Sequence, residues 1–114
     1  MAEYTLAHIG VNAENEEEAM KIAETFQLLF GWEVKPGNSS VFAGTEIEVM
    51  KKDGRGTHGH IGVGTPDIQA AMADLEAKGF TFDPSSAKYK PDGTMNAIYL
   101  TGEYFGFAVH LVKI

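Results

Sequence analysis

A four-residue segment occurs twice in this chain, and the repeat restricts its possible folds more than any other feature. His8-Ile9-Gly10-Val11 recurs without change as His60-Ile61-Gly62-Val63, 52 positions further on. The segments 44–49 and 106–111 are also alike, because each places a polar residue four positions after a glycine, between two aliphatic residues. Two related halves of this kind pack about a pseudo-two-fold axis, within one chain or between two chains.

Signals for helices and strands follow the same order in both halves. Asn15 offers an N-cap oxygen for a helix that Gly31 ends in a left-handed conformation. In the second half, Thr65 is expected to cap a helix that has Pro66 in its first turn and Gly79 just after its end. Apolar alternation and turn residues predict strands over 4–12, 32–35, 39–43, 46–51, 58–64, 80–83, 95–101 and 106–114.

The element order is therefore strand, helix and three strands, followed by the same again, which is an α+β pattern. We expect a single domain over 1–114 made of two repeated modules, about 4–51 and 58–114. Neither module, at about 55 residues, is large enough to be comfortably stable alone, so the two must share a core or a sheet.

Four polar residues fall at equivalent positions of the two modules: His8, Glu48, His60 and His110. Each has aliphatic neighbours in its strand, and strand alternation turns those neighbours toward the helices and the polar residue away from them. If the sheet curls with this side concave, three imidazoles and one carboxylate line one cavity. Such a donor set suits a borderline divalent ion such as zinc, nickel, cobalt, iron or manganese.

Taken singly, each of these histidines has an ordinary alternative role as a hydrogen-bonded strand residue. The equivalence of all four positions favours the metal site, because Val or Thr would form a better strand there. His58 lies two residues before His60 and shares its face, but its place at the strand mouth beside a glycine favours a solvated side chain.

The composition excludes several classes of partner and of metal site. Nine basic against sixteen acidic residues give a net charge of −7, which argues against nucleic acid as a partner. The absence of cysteine excludes disulfides and thiolate metal sites. No apolar run approaches the roughly 20 residues of a membrane-spanning helix, and residues 1–5 lack signal-peptide character. We therefore expect a cytoplasmic protein with neither nucleic-acid nor membrane partners.

Together, the repeat and the four polar positions resemble the vicinal oxygen chelate superfamily, which includes glyoxalase I, bleomycin-resistance proteins, extradiol dioxygenases and methylmalonyl-CoA epimerase. The resemblance covers nearly the whole chain. It implies two βαβββ modules that form a curved mixed sheet with helices on the outer face. It also implies metal ligands on the first and last strands of each module, which correspond to His8, Glu48, His60 and His110.

Two departures from the superfamily pattern affect the expected chemistry. Its last ligand is commonly a glutamate, where this chain has His110, and residues 101–105 lack the Asp-Pro-Asp-Gly-Asn pattern of many members. The first departure weakens a dioxygenase assignment most. A further similarity, to a domain fused to bacterial keto-deoxy-phosphogluconate aldolases, suggests a sugar-acid or 2-oxo-acid context.

The resemblance implies a metal-dependent lyase or isomerase that acts on a small 2-oxo or vicinal-oxygen compound. Glu48 and His110 are then the candidate catalytic residues for proton transfer. The alternatives are a non-catalytic small-molecule-binding protein of the bleomycin-resistance type and an accessory ligand-binding domain of a sugar-acid aldolase. In the binding alternative, aromatic residues line the cavity, namely Trp32, Phe42, Tyr99, Tyr104 and Phe105.

Two further expectations concern partners. Arg55, between the modules and with Lys51 and Lys52 nearby, is a cation that could anchor a carboxylate or phosphate, although such side chains are usually only solvated. The same holds for Lys88 and Lys90. The repeat also suggests a homodimer that completes the pairing of sheets.

Overall fold

The computed structural model describes residues 2–114, which form two α-helices and one sheet. The helices are α1 (Glu16–Phe30) and α2 (Ile68–Ala77). The strands are β1 (Thr5–Asn12), β2 (Val34–Pro36), β3 (Ser40–Ala43), β4 (Ile47–Met50), β5 (Gly59–Thr65), β6 (Lys88–Tyr89), β7 (Met95–Tyr99) and β8 (Phe107–Lys113). The α+β class predicted from the sequence is confirmed.

The eight strands are arranged in the order β2-β3-β4-β1-β5-β8-β7-β6. At the centre, β1 pairs antiparallel with β5, and Ile9 lies opposite Ile61. On either side of this pair the halves are alike, because β1 pairs parallel with β4 and β5 pairs parallel with β8. This symmetry brings the last strand of each half next to its first strand, near the middle of the sheet.

The first helix has the ends that the sequence predicts. Asn15 is the N-cap, and its side-chain oxygen accepts a hydrogen bond of 2.8 Å from the backbone N–H of Glu18. Gly31 ends the helix with φ of 76°, and its N–H bonds to the carbonyl of Gln27. A left-handed residue of this kind satisfies carbonyls that the last turn leaves unpaired.

The predicted start of the second helix is wrong. Its N-cap is Asp67, whose carboxylate accepts from the N–H of Ala70 at 3.1 Å. Thr65 is instead the last residue of β5 and is buried, and Pro66 precedes the cap. Asp and Thr are both good N-caps, so the sequence alone favours neither.

Two apolar clusters form the core, one under each helix. The first lies between α1 and β3–β4, around Ala23, Val41 and Val49, and the second lies between α2 and β7–β8, around Ala71 and Leu111. Because each helix covers its own half, the central strands are incompletely covered on the helix side. The expectation that the aliphatic residues of β1 pack under helices is therefore only partly met, since Ile9 is 39% exposed.

The second half departs from the prediction in the segment that follows α2. The expected strand over 80–83 is reduced to a single bridge between Phe82 and Leu100. The following segment holds a 3₁₀ turn over Pro84–Ser86 and the short strand β6. No helix within residues 2–114 has both the length and the apolar character that crossing a membrane requires.

Candidate metal centre

The four polar side chains predicted to share one face converge on the side of the sheet opposite the helices. The Nε2 atom of His8 lies 3.2 Å from that of His60 and 3.2 Å from that of His110. Glu48 Oε1 lies 3.1 Å from His60 Nε2 and 3.4 Å from His8 Nε2. Strands β1, β4, β5 and β8 are adjacent at the centre of the sheet, and each carries one of the four side chains. The ring nitrogens of His8, His60 and His110 lie within 4.8 Å of one another and could hold a metal ion, and Glu48 contacts two of these three rings.

These spacings fit ligands of one divalent ion. Two atoms that each bind an ion at about 2.1 Å lie about 3.0 to 3.4 Å apart when they are neighbours in its coordination sphere. When the ring proton of each imidazole is on Nδ1, the three Nε2 atoms present lone pairs to one another and to Glu48 Oε1 with no proton between them. A cation between them satisfies every lone pair, and the residues present therefore fit a metal ion.

Burial and mutual proximity shift the ionisation of the site. Burial and the neighbouring His60 and His8 imidazoles lower the pKa of His110 to about 3, and burial also lowers the pKa of His8. Burial alone would raise the pKa of Glu48, but hydrogen bonds from His60 and Ser40 outweigh it and hold that pKa at about 2. At neutral pH Glu48, His8 and His110 are thus unprotonated, as metal ligation requires.

Two glycines make room for the imidazoles. A Cβ at Gly10 would overlap the ring of His60, and a Cβ at Gly62 would lie 2.5 Å from Cε1 of His8. Each glycine is two residues after the histidine of its own strand and lies beneath the histidine of the other strand. The sequence interpretation noted these glycines only as part of the repeat; their recurrence with the histidines was the signal of this role.

Ser40 is a further site residue that the sequence interpretation missed. Its hydroxyl donates a hydrogen bond of 2.8 Å to Glu48 Oε2, so the other carboxylate oxygen, Oε1, is the one directed at the histidines. Ser40 is 7% exposed and lies on β3, where Phe42 pairs with Glu48. A serine at a predicted strand end carries no sequence signal for such a contact.

A cavity of about 210 Å³ adjoins the four donors. Of the aromatic residues proposed for its lining, Phe42 and Tyr99 are there, and the Tyr99 ring stacks on His110 with centroids 4.5 Å apart. The proposal is wrong for the other three. Trp32 stacks on Phe26 of α1, Tyr104 lines a separate apolar pocket, and Phe105 is 98% exposed.

His58 lies apart from the four converging residues. It is exposed, and its ring packs near Phe107 and over Gly106. The interpretation of His58 as a solvated residue at the strand mouth agrees with this position.

No protein-family model matches the sequence, and no curated protein matches it. Among solved structures, a methylmalonyl-CoA epimerase from Streptomyces coelicolor aligns with a TM-score of 0.64 at 19% identity, over 96% of this chain and 93% of its own. The methylmalonyl-CoA epimerase of Mycobacterium tuberculosis aligns at 0.61 and 14% identity, over 95% and 86%. A hypothetical protein of Bacillus halodurans C-125 aligns at 0.59 and 13% identity, over 98% and 95%.

At identities this low, the likeness concerns the fold and not the activity. Methylmalonyl-CoA epimerase is one of the members of the superfamily that the two modules of this chain resemble. The alignments extend over both halves and the central strands that carry the four donors. The chain therefore has the vicinal oxygen chelate fold.

Proposed function

We propose that this protein is a metal-dependent isomerase or lyase that acts on a small 2-oxo or vicinal-oxygen compound. The observation that carries the proposal is the group of three imidazole nitrogens within 4.8 Å of one another, with a carboxylate oxygen 3.1 and 3.4 Å from two of them, beside an open cavity. A buried group of polar atoms at this spacing is costly for a fold unless it has a ligand. Similarity to epimerases, which are isomerases, favours that class over a lyase.

His8, Glu48, His60 and His110 would hold the ion. Three nitrogens with one oxygen suit zinc, nickel, cobalt, iron or manganese better than calcium or magnesium. When bound, a divalent ion would supply a positive charge that polarises a substrate carbonyl and acidifies the neighbouring C–H.

Two side chains of the site are suited to move a substrate proton, Glu48 and His110. Both are unprotonated at neutral pH, since their pKa values are about 2 and about 3. Groups with such low pKa values are weak proton acceptors, so the substrate must itself have an acidified C–H. This requirement favours protons next to a carbonyl, the chemistry of 2-oxo acids and of the methylmalonyl group named for the similar epimerases.

Proton exchange with solvent tests this proposal directly. In D₂O, the metal-loaded protein should exchange the C–H next to the carbonyl of a 2-oxo acid, a hemithioacetal or methylmalonyl-CoA at least about a hundredfold faster than buffer with the same free ion, a general acid–base contribution. Proton NMR of the substrate measures the exchange. Tight binding of these compounds with no exchange above the free ion would contradict an enzyme and favour a binding protein.

Ser40 should act by positioning Glu48. In Ser40→Ala, the carboxylate loses its 2.8 Å hydrogen bond and becomes free to rotate away from the histidines, so metal affinity should fall about 10-fold or more. Competition with a chromogenic chelator measures that affinity. Ser39→Ala is the matched control, since Ser39 lines the same cavity while the hydrogen bond to Glu48 comes from Ser40. Equal affinities in the two variants would remove the positioning role.

A further inference from the structure

We propose that Lys88, assisted by Arg55, binds a second anionic group of the substrate, a carboxylate or a phosphate, at the mouth of the metal cavity. The inference deepens the proposed function, because it names a substrate that carries a chelating end and an anionic end. It rests on that function for the chelating end only, since Lys88 and Arg55 lie outside the four donor residues.

Lys88 occupies the boundary between two connected spaces. It lines the cavity of the four donors and also an adjoining cleft of about 340 Å³, and Tyr99 and Ser86 lie on the same boundary. The strand β6 holds it there, with Lys88 opposite Ala97 of β7. A substrate held at the four donors therefore extends past Lys88 when it leaves the cavity.

The ammonium group of Lys88 also differs from several other lysines of this chain. Lys21, Lys51 and Lys78 each form an ion pair with a carboxylate within 3.6 Å. Within residues 2–114, no carboxylate lies within 4 Å of Lys88. In a chain with a net charge of −7, an unpaired cation at a cavity mouth is suited to an incoming anion.

Arg55 enters the same cleft from the loop between the two halves. Its guanidinium lies 4.5 Å from the centre of the Tyr99 ring, and its Nη1 atom lies 3.5 Å from Asp83. The loop is anchored, because the side chain of Asn12 donates to the carbonyl of Gly56 at 2.9 Å. Arg55 is thus an oriented side chain with donors to spare beyond the Asp83 contact.

The charges of the cleft limit the size of the anion. Asp83 offsets part of the Arg55 charge, and Asp53 is also on the wall of the cleft. One lysine and one partly neutralised arginine suit a single carboxylate or phosphate group. They do not form the denser basic site that the pyrophosphate of a nucleotide or of coenzyme A would need. The substrate class is therefore a small diacid or phosphorylated acid.

Calorimetry with matched ligands tests the inference on the metal-loaded protein. The 2-oxoglutarate dianion should bind about 10-fold tighter than 2-oxobutanoate, and 3-phosphohydroxypyruvate should be compared with 3-hydroxypyruvate in the same way. The pair with the larger preference identifies carboxylate or phosphate as the preferred group. Lys88→Met should abolish the preference within each pair, and Lys88→Arg should keep it.

Lys90→Met is the matched control, because Lys90 is an exposed lysine two residues away that lies in the turn after β6. It should keep the preference in full. Equal binding of the matched ligands to the wild-type protein, or a preference that survives Lys88→Met, would overturn the inference while leaving the proposed function intact.

A second measurement does not depend on the metal. In the metal-free protein, succinate or inorganic phosphate should slow the acetylation of Lys88 by acetic anhydride several-fold relative to Lys90, as peptide mass spectrometry can quantify. If Lys88 is protected but the protein binds no divalent ion when one is added, the anion site is supported and the proposed function is contradicted. Equal acetylation of the two lysines at saturating succinate and phosphate would count against the anion site.

Discussion

Gly10→Ala should destabilise the protein by about 3 kcal/mol, which is at the upper end for overpacking of a rigid interior. The new Cβ would overlap the ring of His60, and that ring is only 2% exposed, so it has little room to turn aside. Either the imidazole leaves its place or β1 and β5 separate at the centre of the sheet. Urea unfolding of the metal-free protein measures the loss, and metal affinity should fall with it, since His60 is displaced in both cases.

The double variant Gly10→Ala/His60→Ala isolates the steric cause. With the imidazole removed, the Cβ of residue 10 has space, so adding Gly10→Ala to His60→Ala should cost less than about 1 kcal/mol. Gly62 and His8 allow an independent second double-mutant cycle with the same expectation, because a Cβ at Gly62 would lie 2.5 Å from the His8 ring. An equal cost of Gly10→Ala in both backgrounds would refute the packing explanation and point to the backbone instead.

The sequence was sufficient to group the four donor residues because strand alternation leaves little freedom. A side chain in a strand faces one of two sides, and the repeat fixes equivalent residues of the two halves on the same side. Once β1 and β5 pair at the centre, His8 and His60 must be neighbours. Their metal binding remains a prediction, as does the homodimer.

Contacts between distant segments could not be predicted in this way. The hydrogen bond from Ser40 to Glu48 depends on the register of β3 against β4. The position of Arg55 over Tyr99 depends on a loop whose path is fixed by Asn12. Such contacts arise from tertiary geometry, and neither periodicity nor local propensity carries information about them.

The misplaced aromatic residues have a related explanation. Trp32 precedes β2, and its ring packs against Phe26 and Phe30 at the C-terminal end of α1. An aromatic residue near a strand is as well suited to the core as to a cavity, and only the side it faces decides. Phe42 does face the cavity, since it pairs with Glu48 across the β3–β4 ladder.

Glu48→Gln and His60→Ala should each lower metal affinity at least about 100-fold. Glu48→Gln keeps the shape of the side chain but removes the only negative charge among the four donors. His60→Ala removes the most deeply buried donor, whose Nε2 lies within 3.2 Å of both His8 and Glu48 atoms. The wild-type protein, purified without chelator, should hold about one ion per chain by elemental analysis, and the two variants should hold almost none.

The matched control for this loss is His58→Ala, which removes an imidazole of the same type from the same strand region. Because His58 is exposed and outside the four donors, this variant should keep the wild-type ion content. Circular dichroism should show that all three variants are folded, so that a loss of metal reports the site itself. Cobalt adds a second readout, since its visible absorption reflects the ligands around the ion and should change in Glu48→Gln but not in His58→Ala. Equally low, substoichiometric metal in the wild type and every variant would show that these four residues do not form a metal site.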